Sequence, residues 1–144
     1  MKKIQIFCDG SCLGNPGNGG WAYILRFNEH EKKASGAQAN TTNNQMELKA
    51  VINALKALKE PCEVQLFTDS SYVVKGMSEW LEKWQKNRWL NSEKKPVKNK
   101  ELWMELSELL SVHKVKANWL KGHAGHAENE LCDKMAKQEA KLLE

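Results

Sequence analysis

Three acidic residues of this sequence, Asp9, Glu47 and Asp69, have surroundings that favour a catalytic or cation-binding role. Asp9 follows a short, nearly unbroken apolar run, and Asp69 follows a second run of strand-forming residues. Glu47 lies in a helical pattern only about 40° from Val51, inside the apolar arc of that helix. An unpaired buried carboxylate is costly and usually shifts its pKa or finds a cation. Two strands that each end in aspartate, with a glutamate on an apolar helix face between them, are therefore an uncommon set.

Each acid also has a simpler interpretation, which the residues alone leave open. Glu47 could cap the first helical turn, and Asp69 could be the N-cap of the helix that follows it. On the last helix, Asp133 lies only about 20° beyond Ala140, and periodicity alone makes it a solvated surface acid. His123 lies between two glycines, and its His-x-x-His spacing does not favour zinc because no third ligand stands at a suitable distance in sequence.

Hydrophobic spacing and turn residues predict the elements that must position these acids. The glycine-rich and asparagine-rich segment 14–20 predicts a hairpin turn between the first two strands. The run Thr41–Asn44 offers several possible N-caps for the first helix, and Asn44 stands three residues before Glu47, a spacing typical of a capping box. The remaining patterns predict strands at 32–39, 64–68 and 115–119 and helices over 73–84, 100–112 and about 127–142.

Two of these patterns also assign faces to the elements. Val115, Ala117 and Trp119 alternate with polar residues, which indicates a strand exposed on one face. On the last helix, Leu131 and Met135 share an apolar face that extends to Leu142.

Composition predicts a single cytoplasmic domain. A chain of 144 residues buries enough surface to fold without disulfides or a structural metal. Cys8 and Cys12 are four residues apart on a predicted strand, about 13 Å at about 3.3 Å per residue. That separation exceeds the disulfide limit of about 7 Å between Cα atoms, so we expect the four cysteines to be reduced. No apolar run has the length of a signal peptide or a membrane span.

Basic charge is concentrated in one segment. The window 83–100 holds seven basic residues and one acid, a net charge of +6, whereas the whole chain has 22 − 18 = +4. A basic segment on a mildly acidic body fits a polyanionic partner such as nucleic acid, and it equally fits a solvated helical hairpin without a partner. Trp80 and Trp84 have the spacing of core residues, whereas Trp89, beside Arg88 in a polar stretch, is the candidate ligand contact.

Five blocks of residues, in order along the chain, resemble bacterial ribonuclease H type 1. They are Asp9–Gly17 (DGSCLGNPG), Thr42–Leu48 (TNNQMEL), Thr68–Ser70 (TDS), Lys95–Asn99 (KPVKN) and Lys121–His126 (KGHAGH), which is followed by Glu128–Glu130 (ENE) and Cys132-Asp133. The resemblance implies an α/β, RNase H-like fold over 1–144 as one catalytic domain. Its five-stranded mixed sheet has three antiparallel strands plus two parallel strands, flanked by helices, with a basic handle at about 80–100.

The resemblance also implies an activity and a metal site. The expected reaction is endonucleolytic, sequence-independent hydrolysis of the RNA strand of RNA/DNA hybrids, which leaves 5′-phosphate and 3′-hydroxyl ends. Asp9, Glu47, Asp69 and Asp133 would coordinate two Mg²⁺ ions, with Mn²⁺ as a substitute, because Mg²⁺ prefers hard oxygen ligands. His123 would shuttle a proton or assist product release.

Substrate contacts are implied by the same resemblance. Gly10, Cys12, Asn15, Asn43 and Asn44 would line the minor groove on the RNA side, where amides can donate to and accept from a 2′-hydroxyl. Thr42 and Asn99 would form part of a pocket for a DNA phosphate. Lys86, Arg88, Trp89, Lys94 and Lys95 would meet the substrate from the handle. Ser71 stands where bacterial relatives commonly have glutamine, so that hydroxyl contact is shorter, water-bridged or absent.

Two other functions fit parts of the pattern. A resolvase or integrase-like nuclease would share the fold, but the basic handle and the paired asparagines argue against it. A hybrid-binding protein without turnover would keep the handle, but the presence of all four carboxylates argues against it. The expected partner is therefore an RNA/DNA hybrid, without a membrane, and the expected state is a monomer.

Overall fold

The computed structural model describes residues 1–121 and 126–144, and it is built around one mixed sheet. The strand order is β3-β2-β1-β4-β5. The first three strands pair antiparallel, and β4 pairs parallel with both β1 and β5. This arrangement confirms the predicted five-stranded sheet. Its strands are β1 (Lys2–Gly14), β2 (Gly17–Phe27), β3 (His30–Thr41), β4 (Cys62–Thr68) and β5 (Lys114–Trp119).

Helices cover both faces of this sheet. They are α1 (Asn43–Lys56), α2 (Ser71–Lys75), a π-helical turn (Gly76–Trp80), α3 (Leu81–Lys86), α4 (Lys100–Val112) and α5 (Ala127–Lys141). The helix predicted over 73–84 is thus three segments. The π turn begins at Gly76, where a Cβ atom would lie 2.0 Å from the Trp103 ring, so that the buried indole packs directly on the helix backbone. Among the described residues, no helix is long and apolar enough to cross a membrane.

The core has a large part under α1 and a small part under α5. Leu48, Val51 and Leu55 of α1 pack on the first face of the sheet, with Trp103 and Leu106 of α4 completing that cluster. On the second face, Phe7, Ala22 and Ile24 of the sheet meet the last helix through Cys132 and Ala136. All four cysteines are free thiols, as predicted.

Helix α5 confirms the predicted apolar face in part: Leu131 and Met135 are partly buried and pack against the small core, but the fully buried positions lie beside them. Its buried residues are Asn129, Cys132, Ala136 and Ala140. The predicted apolar residue Leu142 lies beyond the helix end and is 75 % exposed. The physical reason is close packing: a Cβ atom at Gly20 would lie only 2.0 Å from the Ala136 carbonyl oxygen, so small side chains face the sheet.

The structure identifies the caps of two helices. Of the four candidate N-caps of α1, Thr42 is the one used, and its hydroxyl accepts from the Gln45 N–H at 3.2 Å. Ser70, not Asp69, is the N-cap of α2, and its hydroxyl accepts from the Val73 N–H at 3.1 Å. Glu47 and Asp69, the two acids that the sequence left as possible caps, do not cap these helices and are therefore available for other contacts.

Candidate active site

Asp9 and Asp69 lie side by side because of the parallel register of the two central strands. Phe7 of β1 pairs with Phe67 of β4, so continuing the register by two residues sets Asp9 against Asp69. Asp9 is 4 % exposed, and Asp69 is half-buried just beyond the last residue of β4. The two acids, 60 residues apart in sequence, thus meet just beyond the end of the parallel pairing between β1 and β4.

Glu47 reaches the same point from the second turn of α1. The Gly10 backbone N–H donates to its Oε1 atom, and the carboxyl group is 5 % exposed. Gly10 permits this contact, because a Cβ atom there would lie 2.3 Å from the Glu47 backbone nitrogen. Glu47 therefore joins β1 to α1, and the interpretation of this acid as a cap of the first turn is wrong.

Asp9, Glu47 and Asp69 form one cluster of potential metal ligands. One carboxylate oxygen from each of them lies within 4.8 Å of the others. The cluster opens into a cleft of about 490 Å³. The cleft is lined by Asp9, Gly10, Ser11, Asn43, Asn44, Glu47, Asp69, Ser70, Ser71, Tyr72, Asn129, Glu130, Asp133 and Lys137.

Protonation of the cluster reflects its burial and its crowding. Burial, followed by the charge of Glu47, raises the pKa of Asp9 to about 11. Burial also raises the pKa of Glu47 to about 7, opposed by hydrogen bonds from Asp9, Gly10 and Ser70. The cluster consequently holds protons near neutral pH in the absence of a cation, and a bound divalent ion would replace those protons.

Asp133 lies in the same cleft but outside the three-residue cluster. Its Oδ2 atom forms a salt bridge with the Nζ atom of Lys137 at 3.0 Å, and Lys137 lies one helical turn further along α5. The Asp133 side chain is 32 % exposed, and its hydrogen bond with Asp9 contributes to the raised pKa of Asp9. The expectation of a purely solvated surface acid is wrong. Helix α5 packs closely against Gly20 of β2, and this packing brings Asp133 to the cleft that Asp9 of β1 also lines.

Six residues that line the cleft were not among the predicted site residues: Ser11, Ser70, Tyr72, Asn129, Glu130 and Lys137. Lys137 is four residues after Asp133, and acid–base spacing on a helix was the signal that could have found it. Ser70 lines the cleft and lowers the pKa of Glu47, but its side chain also caps α2. Since capping serine is common at a strand–helix junction, no feature of the sequence separates the two roles.

The residues predicted to contact RNA fall into two groups. Gly10, Asn43, Asn44 and Ser71 line the cleft. Cys12 and Asn15 do not line it. The Cys12 thiol donates to the Thr41 carbonyl oxygen at 3.3 Å, and the Asn15 side-chain oxygen accepts from the Asn43 N–H at 3.2 Å. Asn15 thus holds the start of α1 against the β1–β2 turn.

The pair predicted to bind a DNA phosphate lies on adjoining elements. Thr42 caps α1, and Asn99 immediately precedes α4 in a left-handed conformation, with a φ angle of 59°. The Asn99 side chain accepts from Gln45 at 3.3 Å and donates to the Tyr72 hydroxyl at 3.1 Å. Tyr72 lines the acidic cleft, so one polar chain connects the two regions.

The basic handle has its own surface. Lys86, Arg88 and Lys94 line a second depression of about 390 Å³. Within the handle, Leu90 and Pro96 form an isolated antiparallel β-bridge. Lys86 pairs with Glu82 at 3.1 Å, and Lys95 approaches Glu93 at 3.8 Å.

Trp89 is less accessible than its polar neighbours suggested. It is half-buried and packs against the large core, and its backbone N–H donates to the Trp84 carbonyl oxygen at 2.7 Å. The prediction for His123 lies outside the described residues.

The structure is an α/β fold in which a mixed sheet and its first helix bring together three carboxylates that could hold a metal ion. The sequence profile of the RNase H family matches residues 1–141. Ribonuclease H of Campylobacter concisus is 66 % identical over 140 residues, which cover 97 % of this chain and 94 % of that protein. Ribonuclease H of Erythrobacter litoralis is 55 % identical over 142 residues, 99 % of each chain.

Structural comparison agrees with these sequence relatives. The crystal structure of LC9-RNase H1, described as a type 1 RNase H with the type 2 active-site motif, superimposes with a TM-score of 0.88. It is 29 % identical, and the match covers 97 % of this chain and 72 % of that one. The chain belongs to the RNase H family. It is accordingly a nuclease that hydrolyses the RNA strand of RNA/DNA hybrids.

Proposed function

We propose that this hydrolysis uses two Mg²⁺ ions held by Asp9, Glu47, Asp69 and Asp133. The observation that carries the proposal is the convergence of the first three carboxylates within 4.8 Å. Asp133 lines the same cleft and completes a set of hard oxygen donors. Magnesium prefers such oxygen ligands, whereas the four thiols of this chain donate to backbone carbonyl oxygens.

The donor set also fits a divalent cation electrostatically. Burial and mutual repulsion keep Asp9 and Glu47 partly protonated without a cation, as their raised pKa values indicate. A divalent ion would relieve that repulsion, and Mn²⁺ would serve as a substitute for Mg²⁺ because it shares the preference for oxygen. When bound, the ions supply an activated water and stabilise the leaving 3′-oxygen.

Side chains of the protein orient this site. The Gly10 N–H and Ser70 hold the Glu47 carboxylate, and Lys137 holds Asp133 until a cation competes for that carboxylate. In the proposal His123 shuttles a proton or assists product release. The products carry 5′-phosphate and 3′-hydroxyl ends.

The hybrid would be recognised through contacts that do not depend on base sequence. Gly10, Cys12, Asn15, Asn43 and Asn44 meet the RNA strand in its minor groove. Support for this set comes from the cleft-lining positions of Gly10, Asn43 and Asn44 and from the hydrogen bond between Asn15 and Asn43. Ser71, also at the cleft, replaces a longer polar side chain and makes at most a short hydroxyl contact.

Phosphates of the DNA strand would be bound further along the same surface. Thr42 and Asn99 form the phosphate pocket, and the polar chain through Tyr72 supports its connection to the acidic cleft. Lys86, Arg88, Trp89, Lys94 and Lys95 meet phosphates from the handle, which is supported by the depression that three of these cations line. We propose further that 1–144 acts as one catalytic domain, as a monomer in the cytoplasm.

The decisive experiment is cleavage of a hybrid that carries a label on either strand, with and without Mg²⁺. The proposal predicts Mg²⁺-dependent cuts along the RNA strand only, with 5′-phosphate product ends. Double-stranded RNA and double-stranded DNA of the same sequence are the controls. Cleavage of either control duplex at a comparable rate contradicts hybrid specificity, and hybrid binding without cleavage in Mg²⁺ or Mn²⁺ contradicts the catalytic assignment.

A further inference from the structure

Trp119 is the most exposed tryptophan side chain among the described residues, and it lies where the alternation of β5 predicted a buried one. Val115 and Ala117, on the same face of this strand, pack against the large core. Trp119 ends the strand and is 53 % exposed. Core packing therefore does not explain why a tryptophan occupies this position.

The polar atom of this side chain is directed at the active site. The indole Nε1–H donates to the backbone carbonyl oxygen of Asp69 at 3.2 Å. Asp69 belongs to the cluster of metal-ligating carboxylates. The ladder between β4 and β5 ends with the pairing of Thr68 and Trp119, so Asp69 itself has left the sheet.

Neighbouring peptide groups are held by other bonds. The Leu120 N–H donates to the Thr68 carbonyl oxygen at 2.8 Å, and the Ser70 N–H donates to the Thr68 hydroxyl at 3.1 Å. The Trp119 bond acts on the next carbonyl group, that of Asp69 itself. Since an aspartate carboxylate is only two rotatable bonds from its backbone, the orientation of this peptide sets where the carboxylate can reach.

We propose that Trp119 is a positioning residue, which fixes the Asp69 peptide so that its carboxylate meets Asp9 and Glu47 in a geometry that binds metal. This inference rests on the proposed function, in which Asp69 binds Mg²⁺. Partners that orient the ligands of a metal typically change metal affinity or activity by about 10–100-fold when they are removed. A single bond to the backbone of a ligand corresponds to the lower end of that range.

The test is Trp119→Phe, which removes the N–H donor and keeps an aromatic ring. We expect Mg²⁺ affinity, measured by calorimetry without substrate, to fall by about tenfold. We expect kcat at subsaturating Mg²⁺ to fall by a similar factor and to recover at high Mg²⁺, with the KM for hybrid unchanged. Trp21→Phe, the same replacement on β2, is the matched control and keeps the native Mg²⁺ affinity.

Several outcomes would overturn this role. Native Mg²⁺ affinity in Trp119→Phe with an unchanged melting temperature would show that the bond positions nothing. A normal Trp119→Phe together with a raised KM in Trp119→Leu would make the ring a stacking surface for nucleic acid instead. Hydrogen exchange of the Trp119 indole N–H in the native protein is independent of any variant, and exchange as fast as in free tryptophan would contradict the hydrogen bond.

Failure of this inference can be separated from failure of the proposed function. Asp69→Asn removes the ligand itself and is expected to abolish tight Mg²⁺ binding. If Asp69→Asn does so while Trp119→Phe has no effect, only the positioning role is wrong. If Asp69→Asn binds Mg²⁺ as the native protein does, the metal assignment of Asp69 is wrong as well.

Discussion

The backbone N–H of Gly10 donates a hydrogen bond to the Oε1 atom of Glu47, 37 residues further along the chain. This contact joins the central strand to α1 and places Glu47 beside Asp9. A Cβ atom at position 10 would lie 2.3 Å from the backbone nitrogen of Glu47 and from the backbone carbon of Met46. Gly10 lies within β1 and has no positive φ angle, so the glycine is required for the close approach of strand and helix and not for its backbone conformation.

Gly10→Ala should consequently displace α1 from β1. The clash is with backbone atoms, which cannot rotate away, so we expect a loss of about 1–3 kcal/mol in the free energy of unfolding. Cleavage should be lost as well because Glu47 moves from the cluster. Urea unfolding and a hybrid cleavage assay measure the two effects.

Gly36→Ala is the matched control for this substitution. The three atoms nearest to its added Cβ are side-chain atoms of Trp21, which can shift, rather than backbone atoms. We expect a smaller loss of stability and retained cleavage. Equal effects of the two substitutions would contradict a specific role for the approach of β1 to α1.

Asp9→Asn should abolish cleavage and leave the metal-free protein equally stable or more stable. The pKa of Asp9 is raised to about 11 in the folded protein, so the native state holds a proton that the unfolded chain releases at much lower pH. Folding of the native protein therefore becomes less favourable as pH rises, and asparagine removes that dependence. The advantage of the variant should reach roughly 1 kcal/mol or more at alkaline pH.

Melting in EDTA at pH 5.5 and pH 8.5 measures this effect. The difference in melting temperature between variant and native protein should grow towards the higher pH. A clearly lower melting temperature for Asp9→Asn in EDTA would show that the carboxylates do not repel one another as the cluster requires.

Binding of Mg²⁺ should release protons near neutral pH. Burial raises the pKa of both Asp9 and Glu47, to about 11 and about 7, and only the ionised carboxylates bind a cation well. Apparent Mg²⁺ affinity should therefore rise with pH from about 6 to 9. Calorimetry in two buffers of different ionisation enthalpy gives the number of protons released. Binding enthalpies that do not depend on the buffer would contradict a protonated cluster.

Removing the charges of Lys94 and Lys95 should weaken hybrid binding and reduce its dependence on salt. Both side chains are exposed on the handle. For every phosphate that the variant no longer neutralises, the slope of log K against log salt concentration should fall by about one unit. Titration of a labelled hybrid at several salt concentrations, with glutamine at both positions, measures the slope.

The control for the handle substitutions removes two charges elsewhere. Lys59 follows α1 and Lys114 begins β5, both exposed at the end of the sheet remote from Asp9. Glutamine at these two positions should leave the slope nearly unchanged. Equal changes in the two double variants would mean that only the net charge of the protein matters.

His113 should make the protein sensitive to mild acid. Its Nδ1 atom accepts the Cys62 backbone N–H at 3.1 Å, and burial lowers the pKa of the imidazole below its usual value. The neutral ring therefore contributes stability that is fully present above the unfolded pKa, about 6.5, and is lost as pH falls towards the lowered folded pKa. His113→Phe leaves the Cys62 N–H without its acceptor and should cost about 1–3 kcal/mol at pH 7.5.

Urea unfolding at pH 7.5 and pH 5 tests this expectation. The native protein should lose part of its stability between these values, and His113→Phe should lose less. His30→Phe, at an exposed position, is the control and should follow the native protein. A native protein that is equally stable at both pH values would contradict the lowered pKa.

Local sequence determined most of the secondary structure of this protein. The strand around Ile4 was predicted from a nearly unbroken apolar run, the strand around Val64 from its strand-forming residues, and the helix at 100–112 from apolar residues that repeat with the period of a helix. The same periodicity placed Glu47 on a buried face, which the structure confirms. The family resemblance, drawn from the order of the five blocks, anticipated the strand pairing and the meeting of Asp9 with Asp69.

Only the tertiary structure decided which polar side chains share the cleft and which cap a helix. Asp133 has the periodicity of a surface acid, and Trp119 has that of a buried residue, yet the first lines the cleft and the second is largely exposed. Thr42 and Ser70, rather than the neighbouring Asn44 and Asp69, cap their helices. The physical reason is that periodicity fixes the direction of a side chain relative to its own element, whereas the distance between elements is set by close packing such as that of Gly20 against Ala136.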